Sequence, residues 1–571
     1  MTHTTQRTSW FQLSAISTAT AATLILTACG GGGTGDSTTS SGTSATTSSY
    51  TGTVSGLGSI VVNGVRFSVD SASTQDGDDP SKSYAKAFAL GDTVTVTGTV
   101  NSDGTTGTAT SVVYHGGVRG KVTAVNCTST ADSTNGPANS LTINGQVVVF
   151  SSDTVWDGSA TTYACASLVA GTSYAEALGD YDSATGYITA TRVIEKDSTT
   201  VDASGVALRR KITAVDSTVP SFTVTIHGVT VTVNYTASDV APSGSTLATG
   251  NEVRFIVDPT VTANATALNT IATSTSGTAT LTAKKVIVKR ERQADAVKGV
   301  IRGSIDAISG TTWTIGGTTV DVSSSSLTLT GYSSLSAVAV GDKVIIKGTF
   351  SNGVLVASAV TAASSDSDRP TATGGVRLYG VVSDATAASG STAATFVVQG
   401  VTVTIASTST LSLPTNGVYA EVKAHLVSGV LTADEIHTAS TSSSSGSSSG
   451  SGSSTDSSSS TTTSRSFEVY GVTPCATGTA SDFTSTFALT LRRGSVQVAP
   501  TSSTTVTVDS NVTTGSVTSG TPLCLVEVTG TAATGTTTPT ITATKIEVKA
   551  RKTASSSDST TTTTTAASML R

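Results

Sequence analysis

The chain has 571 residues, of which 12% are charged, and a net charge of −6. That length holds several domains at roughly 100–200 residues each, and the charged share is about half of the usual roughly 25%. The slight acidity excludes an overall basic footprint for nucleic acid. A composition dominated by Thr, Ser, Gly, Ala and Val suits strands and turns, because β-branched side chains fit a pleated surface.

The first element is an export signal: Arg7, then an apolar run ending in Ala22-Thr23-Leu24-Ile25-Leu26, then the small pair Thr27-Ala28 before Cys29. Leu26-Thr27-Ala28-Cys29 resembles the lipobox of bacterial lipoproteins. That resemblance implies removal of residues 1–28, lipid (diacylglycerol and a further acyl chain such as palmitate) on Cys29, and attachment to a membrane. Gly30 follows the cysteine where Asp does not, which by similarity to Gram-negative sorting rules favours the outer membrane and leaves the face, periplasmic or external, open. Residues 29–49 form a Gly/Ser/Thr tether. No later stretch approaches the roughly 18 apolar residues of a membrane helix.

Six copies of one small unit follow. The first, residues 50–116, runs Ser59-Ile60-Val61-Val62 into Asn63-Gly64 and leaves as Val65-Arg66-Phe67-Ser68-Val69. The second, 117–197, turns at Asn144-Gly145, and the third, 206–292, at His227-Gly228. The fourth, 297–363, turns at Gly316-Gly317, the fifth, 375–439, at Gln399-Gly400, and the sixth, 466–552, at Arg493-Gly494. A two-residue hairpin needs positive φ at both central positions, so x-Gly recurs there. Downstream, Leu90-Gly91-Asp92-Thr93-Val94 parallels Val340-Gly341-Asp342-Lys343-Val344. The closing strand repeats as Thr189-Ala190-Thr191-Arg192-Val193 and Thr282-Ala283-Lys284-Lys285-Val286. In the second copy the Gly-Asp element degenerates to Val169-Ala170-Gly171-Thr172, which leaves its register open. Residues 440–465 are almost pure Ser, Thr and Gly, a flexible linker by composition, and 553–571 is a similar tail.

Five strands per copy, three in a meander and two after a longer connection, match an OB-like barrel. The expected fold class is all-β: tandem small five-stranded OB-like β-barrel modules joined by flexible Ser/Thr/Gly linkers. The stretch Gly-Leu-Gly-Ser-Ile-Val-Val-Asn-Gly-Val-Arg-Phe from Gly56 to Phe67 resembles the opening of a domain of unknown function found in tandem in proteobacterial lipoproteins. Val340-Gly341-Asp342-Lys343-Val344 is similar to its second half. The resemblance covers most of residues 50–440 and more loosely 466–552; it implies an OB-like β fold and brings no established activity.

Four cysteines remain after Cys29. An even count in an exported chain, with no close C-x-x-C pair, points to disulfides rather than zinc. Cys127 and Cys475 each end the first strand of a copy, and Cys165 and Cys524 lie in the second halves of the same copies. The expected bridges are Cys127–Cys165 and Cys475–Cys524.

Reactive groups are sparse. The mature part holds His115, His227, His425 and His437, none in a metal spacing or beside a nucleophile. His227 sits in a hairpin turn, and His425 and His437 lie on consecutive strands without a third ligand. Asp76-Gly77-Asp78-Asp79 lacks the spaced ligands of a calcium loop and reads as a solvated connection. Basic residues cluster in the third copy at Arg209-Arg210-Lys211 and from Lys284 to Arg292. Strand alternation places Arg209 with Lys211, and Lys285 with Lys289, on common faces. If the opening and closing strands are neighbours, Arg209, Lys211, Lys285 and Lys289 form one stripe, a candidate site for an anionic envelope polymer. Aromatics are too few for single-stranded nucleic acid.

The expected function is a non-enzymatic, lipid-anchored cell-envelope protein whose modules act as a spacer or interaction array. The alternative is a lipoprotein that recognises an oligosaccharide, anionic polymer or peptide through an OB-like face. Its partners are the membrane, through the lipid on Cys29, and an envelope glycan or protein; no cofactor, metal or nucleic acid is expected.

Overall fold

The recurring x-Gly pairs do turn the chain through two residues of positive φ: 49° and 79° at Asn63-Gly64, 44° and 81° at Asn144-Gly145, 50° and 80° at His227-Gly228, and 54° and 72° at Gln399-Gly400. Each sets two short antiparallel strands back to back, as a type I′ hairpin requires. The structure is a computed structural model that describes residues 47–288, 298–438 and 467–554. Within those spans residues 70–71, 80–82, 85, 102–103, 134, 160–162, 183, 316–317, 352, 366, 492–494, 510–511, 516–520 and 534–537 are not described. The leader with Cys29, nearly all of the tether, Lys289, the turns Gly316-Gly317 and Arg493-Gly494, the Ser-rich stretch and the tail from 555 onward therefore lie outside the described residues.

In the first module the opening strand Thr47–Leu57 pairs with Ile60–Val62, and that strand with Val65–Ser68. Val65–Ser68 then runs parallel to the last strand, Thr106–Tyr114. The fourth strand, Thr93–Val100, pairs antiparallel with both the last and the first, closing a five-stranded barrel in the order 1-2-3-5-4-1. The second module repeats this order. So do the third, the fourth, the fifth and the sixth. The protein is all-β, a series of small closed OB-like barrels. In the third module the opening strand is broken into Val206–Lys211 and Ala214–Asp216.

Two glycine positions make this barrel writable in sequence. One precedes the fourth strand: Gly91, Gly171, Gly250, Gly341 and Gly417 all have φ between 83° and 93°. Each donates its N–H to a first-strand carbonyl (Val54, Val122, Ile212, Ile305 and Val382) at 2.8–2.9 Å. The acceptor side chain that follows explains the Asp: Asp92 and Asp342 take the N–H of Ala89 and Ala339 at 2.8 and 2.9 Å. Gly171 occupies the same place, so the degenerate second copy keeps the register of the others. The other glycine sits at a β-bulge in the fourth strand, at Gly98, Gly179, Gly348 and Gly530. There the opposing carbonyls of Thr108, Thr189, Val356 and Thr542 leave no room for a Cβ.

Alternate residues of each strand fill the barrels; Val62, Phe67, Val94, Val96 and Val112 are buried in the first. The third module adds a helix, Thr262–Thr273, that the Thr-rich sequence did not announce. Ala267, Leu268 and Ile271 share its buried face at i, i+1 and i+4 spacing, and buried Asn264 bonds Asp258 O and both backbone groups of Thr282.

The barrels are packed together, not strung out, and fall in one compact unit. The opening strand of module one runs parallel to that of module four, Ser48 opposite Lys298 through Thr51 opposite Ile301. At its other end Gly56 and Leu57 pair with Arg377 and Leu378 of module five. Module six joins through Glu468, whose carboxylate accepts Val69 N–H at 3.1 Å, and through Tyr470, edge-on to Phe88 at 6.1 Å. Modules two and three dock by side-chain bonds described next. No helix of the described residues is long and apolar enough to cross a membrane.

Candidate functional site

Module one lies at the centre, and three cavities open where it meets its neighbours. The first, of about 560 Å³, is charged and lies between modules one, two and three. Buried Glu176 accepts the Gly117 N–H at 3.3 Å and pairs with Arg119 at 3.5 Å and Lys196 at 3.2 Å. Arg119 also ties module two to the connection ahead of module three, donating to Gly205 O at 3.0 Å and Ser204 O at 3.1 Å. Arg254 of module three reaches back to Gly117 O at 2.7 Å and pairs with Asp78 of module one. Lys285 lies 3.7 Å from Asp79. The loop Asp76–Asp79 is thus no solvated connection: its carboxylates face cations from a module more than 170 residues further along.

Burial alone would raise the Glu176 carboxyl, but Lys196 and Arg119, with Arg254 and Lys86 beyond them, outweigh it and hold it well below the usual carboxylate range. Burial, reinforced by Lys196, pushes the ammonium of half-buried Lys86 down to about 8. A depressed carboxyl stabilises the fold above its unfolded pKa of about 4.3, and that contribution is lost as pH falls through the folded value. Glu176→Gln should therefore melt below wild type at pH 7, with the gap closing progressively below about pH 4. Urea midpoints taken from pH 7 to pH 2 check this; a gap independent of pH would show that lost packing, not charge, is responsible.

A second cavity, about 550 Å³, lies between modules one, two and four. Arg302, Tyr332, Asp342 and Lys343 of module four face Asp153 and Asp180 of module two across it. Asp153 also holds Arg369, from the connection ahead of module five, at 2.5 and 2.8 Å. The third cavity, about 630 Å³, is mostly apolar and lies between modules one, two, five and six. Behind its wall Arg192 of module two bridges Asp92 of module one and Asp157 of its own module. Arg192 is 2% exposed and Asp92 fully buried. Thr191 Oγ1 adds a bond to Gly91 O at 2.8 Å.

The basic residues singled out from the sequence do not make one stripe. In module three the strand Glu252–Val257 lies between the opening strand of Arg209 and Lys211 and the closing strand of Lys285. Arg209 pairs with Glu252 and donates to Gly179 O at 2.9 Å, so it is a joint between modules two and three. Lys211 is exposed, Lys285 faces Asp79, and Lys289 lies outside the described residues. Both disulfides form, Cys127 to Cys165 and Cys475 to Cys524. His425 and His437 sit opposite Thr432 and Glu421 rather than each other, and pair with Asp434 and Glu435. His115 bonds Thr95 at 2.7 Å. Among the described residues no three His, Cys, Asp or Glu groups gather to hold a metal. Arg192, Asp92 and Glu176 were not singled out; the one hint was a charge placed within otherwise apolar alternation.

The chemistry of these junctions is adhesion between barrels, with charge paired inside and ligand-sized space left over. A search of curated proteins finds no match. A solved structure described as drosophila Unr CSD456 is 13% identical, over 43% of this chain and 96% of that one, with a TM-score of 0.11, too slight a likeness to carry an argument. A family model described as a domain of unknown function (DUF5666) matches residues 51–113, 119–194, 302–361 and 379–437. These are modules one, two, four and five; modules three and six share their strand order without the match. Four tandem stretches of the chain thus match this domain of unknown function.

Proposed function

We propose that this chain is a non-enzymatic, lipid-anchored protein of the bacterial outer membrane whose six modules work as one interaction body, toward an envelope glycan or protein, rather than as an extended spacer. The observation that carries the reading is the position of module one. Its opening strand, acid loop, Gly-Asp turn and Val69, which follows its third strand, between them contact all five other modules. Charges that could have served a ligand on separate modules instead hold modules together, so recognition falls to the composite surface and its junction cavities. The anchor rests on Leu26-Thr27-Ala28-Cys29.

Two measurements on the same protein test this. Acyl chains contribute about 0.8 kcal/mol per buried CH₂, and two suffice for stable anchoring, so Cys29→Ser should leave the protein unprocessed or free of the membrane fraction. Small-angle scattering of that variant should give a radius of gyration near the roughly 25 Å of a single compact chain of this length. A variant that still matures normally and partitions with the membrane removes the anchor, and a radius about twice the compact value removes the single body.

A further inference from the structure

We propose that the apolar cavity between modules one, two, five and six binds one long acyl chain, with the polar end of the lipid left in solvent at its rim. The cavity, about 630 Å³, falls within the roughly 300–1,000 Å³ of small-molecule sites. Its charge content selects the ligand. Among the described residues, no Lys, Arg or His lines it, and its two carboxylates are engaged: Asp157 with Arg192, and Glu468 with the Val69 N–H. Nothing inside can neutralise an anion, whereas the two other junction cavities are lined with both signs. The body of the ligand therefore carries no negative charge, and the mostly apolar lining favours hydrocarbon along its length.

The walls supply hydrocarbon and rings. Leu57 and Leu90 come from module one, Trp156 and Tyr163 from module two, and Leu426 and Val430 from module five. Trp156 is half-buried and edge-on to Phe150 at 5.1 Å and to Tyr163 at 6.1 Å, so one flank of its indole ring is held while the ring borders the cavity. At the rim, Val430 of module five is nearly half exposed, at 48%, beside Ser428 and Gly429, and Val427, its partner across the hairpin, is 47% exposed. Apolar side chains at the mouth of an apolar cavity would continue the contact along a chain that enters there. A carboxylate or phosphate headgroup, which would find no cation inside, stays outside. The inference rests on the single-body reading, because the cavity exists only where these four modules meet; a compact scattering radius without saturable binding would overturn the acyl-chain site alone.

The test uses indole fluorescence of the Cys29→Ser chain, titrated with hexadecanoic acid, with a single-chain lysophospholipid of the same length, and with octanoic acid. Of the three tryptophans, Trp313 is sealed in the core of module four and Trp156 borders the cavity. The expected result is a saturable blue shift with a sixteen-carbon ligand, absent in Trp156→Phe and at least tenfold weaker in affinity for octanoic acid. Val430→Asp, at an exposed position, should weaken binding about tenfold with an unchanged circular dichroism spectrum; Val427→Asp is the second variant if that one misfolds. Response to the free acid alone, or to the lysophospholipid as well, identifies the source of the chain and sustains the proposal. No saturable response to either, equal affinity for octanoic acid, or unchanged affinity in the rim variants would overturn it.

Discussion

Replacing Arg192 by alanine is expected to destabilise the body by about 3–5 kcal/mol, the usual cost of removing one partner from a buried ion pair. Arg192 lies on the closing strand Ile188–Lys196 of module two and is fully enclosed, one arm of its guanidinium on Asp92 and the other on Asp157. Truncation leaves two carboxylates facing each other across a gap that water does not freely reach, and Asp92 is the residue that shapes the Gly-Asp turn of module one. The damage thus spreads from the joint into the barrel. Arg192→Lys should recover only part, since one ammonium cannot present the planar fork that serves two carboxylates at once. Combining Arg192→Met with Asp92→Asn and Asp157→Asn should recover more, because a joint without charges has none left unpaired. Urea midpoints read the stability, and protease cutting between residues 114 and 118 reads the joint. A single alanine variant within about 1 kcal/mol of wild type, below the range for breaking such pairs, would mean that the two modules are held by their apolar contacts alone.

The barrels were legible in the sequence and the joints were not, for a physical reason. A type I′ turn at Asn63-Gly64 or a left-handed Gly91 is a local demand on two or three residues, so it leaves a mark wherever the unit recurs. Even the degenerate Val169-Ala170-Gly171-Thr172 kept the one residue that the turn cannot replace. A docking charge has no such mark. Arg192 and Lys285 both stand on closing strands where charge reads as a solvated face, and what separates them is a partner about 100 or 200 residues away. The same holds for Asp76–Asp79, whose acidity looked like solubility until Arg254 came to meet it. Alternation grouped Arg209 with Lys211 and Lys285 with Lys289 but could not say that the fourth strand of the barrel would lie between the two groups' strands. The helix Thr262–Thr273 escaped for a third reason: its Thr and Asn residues disfavour helix locally, and it exists because Ala267, Leu268 and Ile271 are buried against the barrel.

The two disulfides, equal on entropic grounds, are expected to differ sharply in how they are lost. They close loops of 38 and 49 residues, each contributing about 4 kcal/mol in the chain-entropy treatment. Their surroundings are unlike. Cys475 is 2% exposed and Cys524 fully buried, inside the apolar cluster of module six with Val469, Leu489 and Val526. Cys127 follows the strand Val118–Asn126 into solvent, with only Cys165 covered. A thiolate must reach a sulfur to exchange with it, so dithiothreitol should open Cys127–Cys165 in the native protein, and Cys475–Cys524 only once module six unfolds. Module two should then stay folded with a lowered midpoint, since its core of Leu141, Ile143, Ala177 and Val193 does not include the bridge. Removing the other bridge as Cys475→Ala with Cys524→Ala takes away its about 4 kcal/mol and also leaves space in a packed core, so module six should unfold separately from the rest. Differential alkylation across a dithiothreitol series, read by peptide mapping at residues 127, 165, 475 and 524, gives the order directly. Simultaneous opening, or release of Cys475 first, would mean that module six opens to solvent far more readily than its buried bridge implies, and that the first five modules do not depend on it.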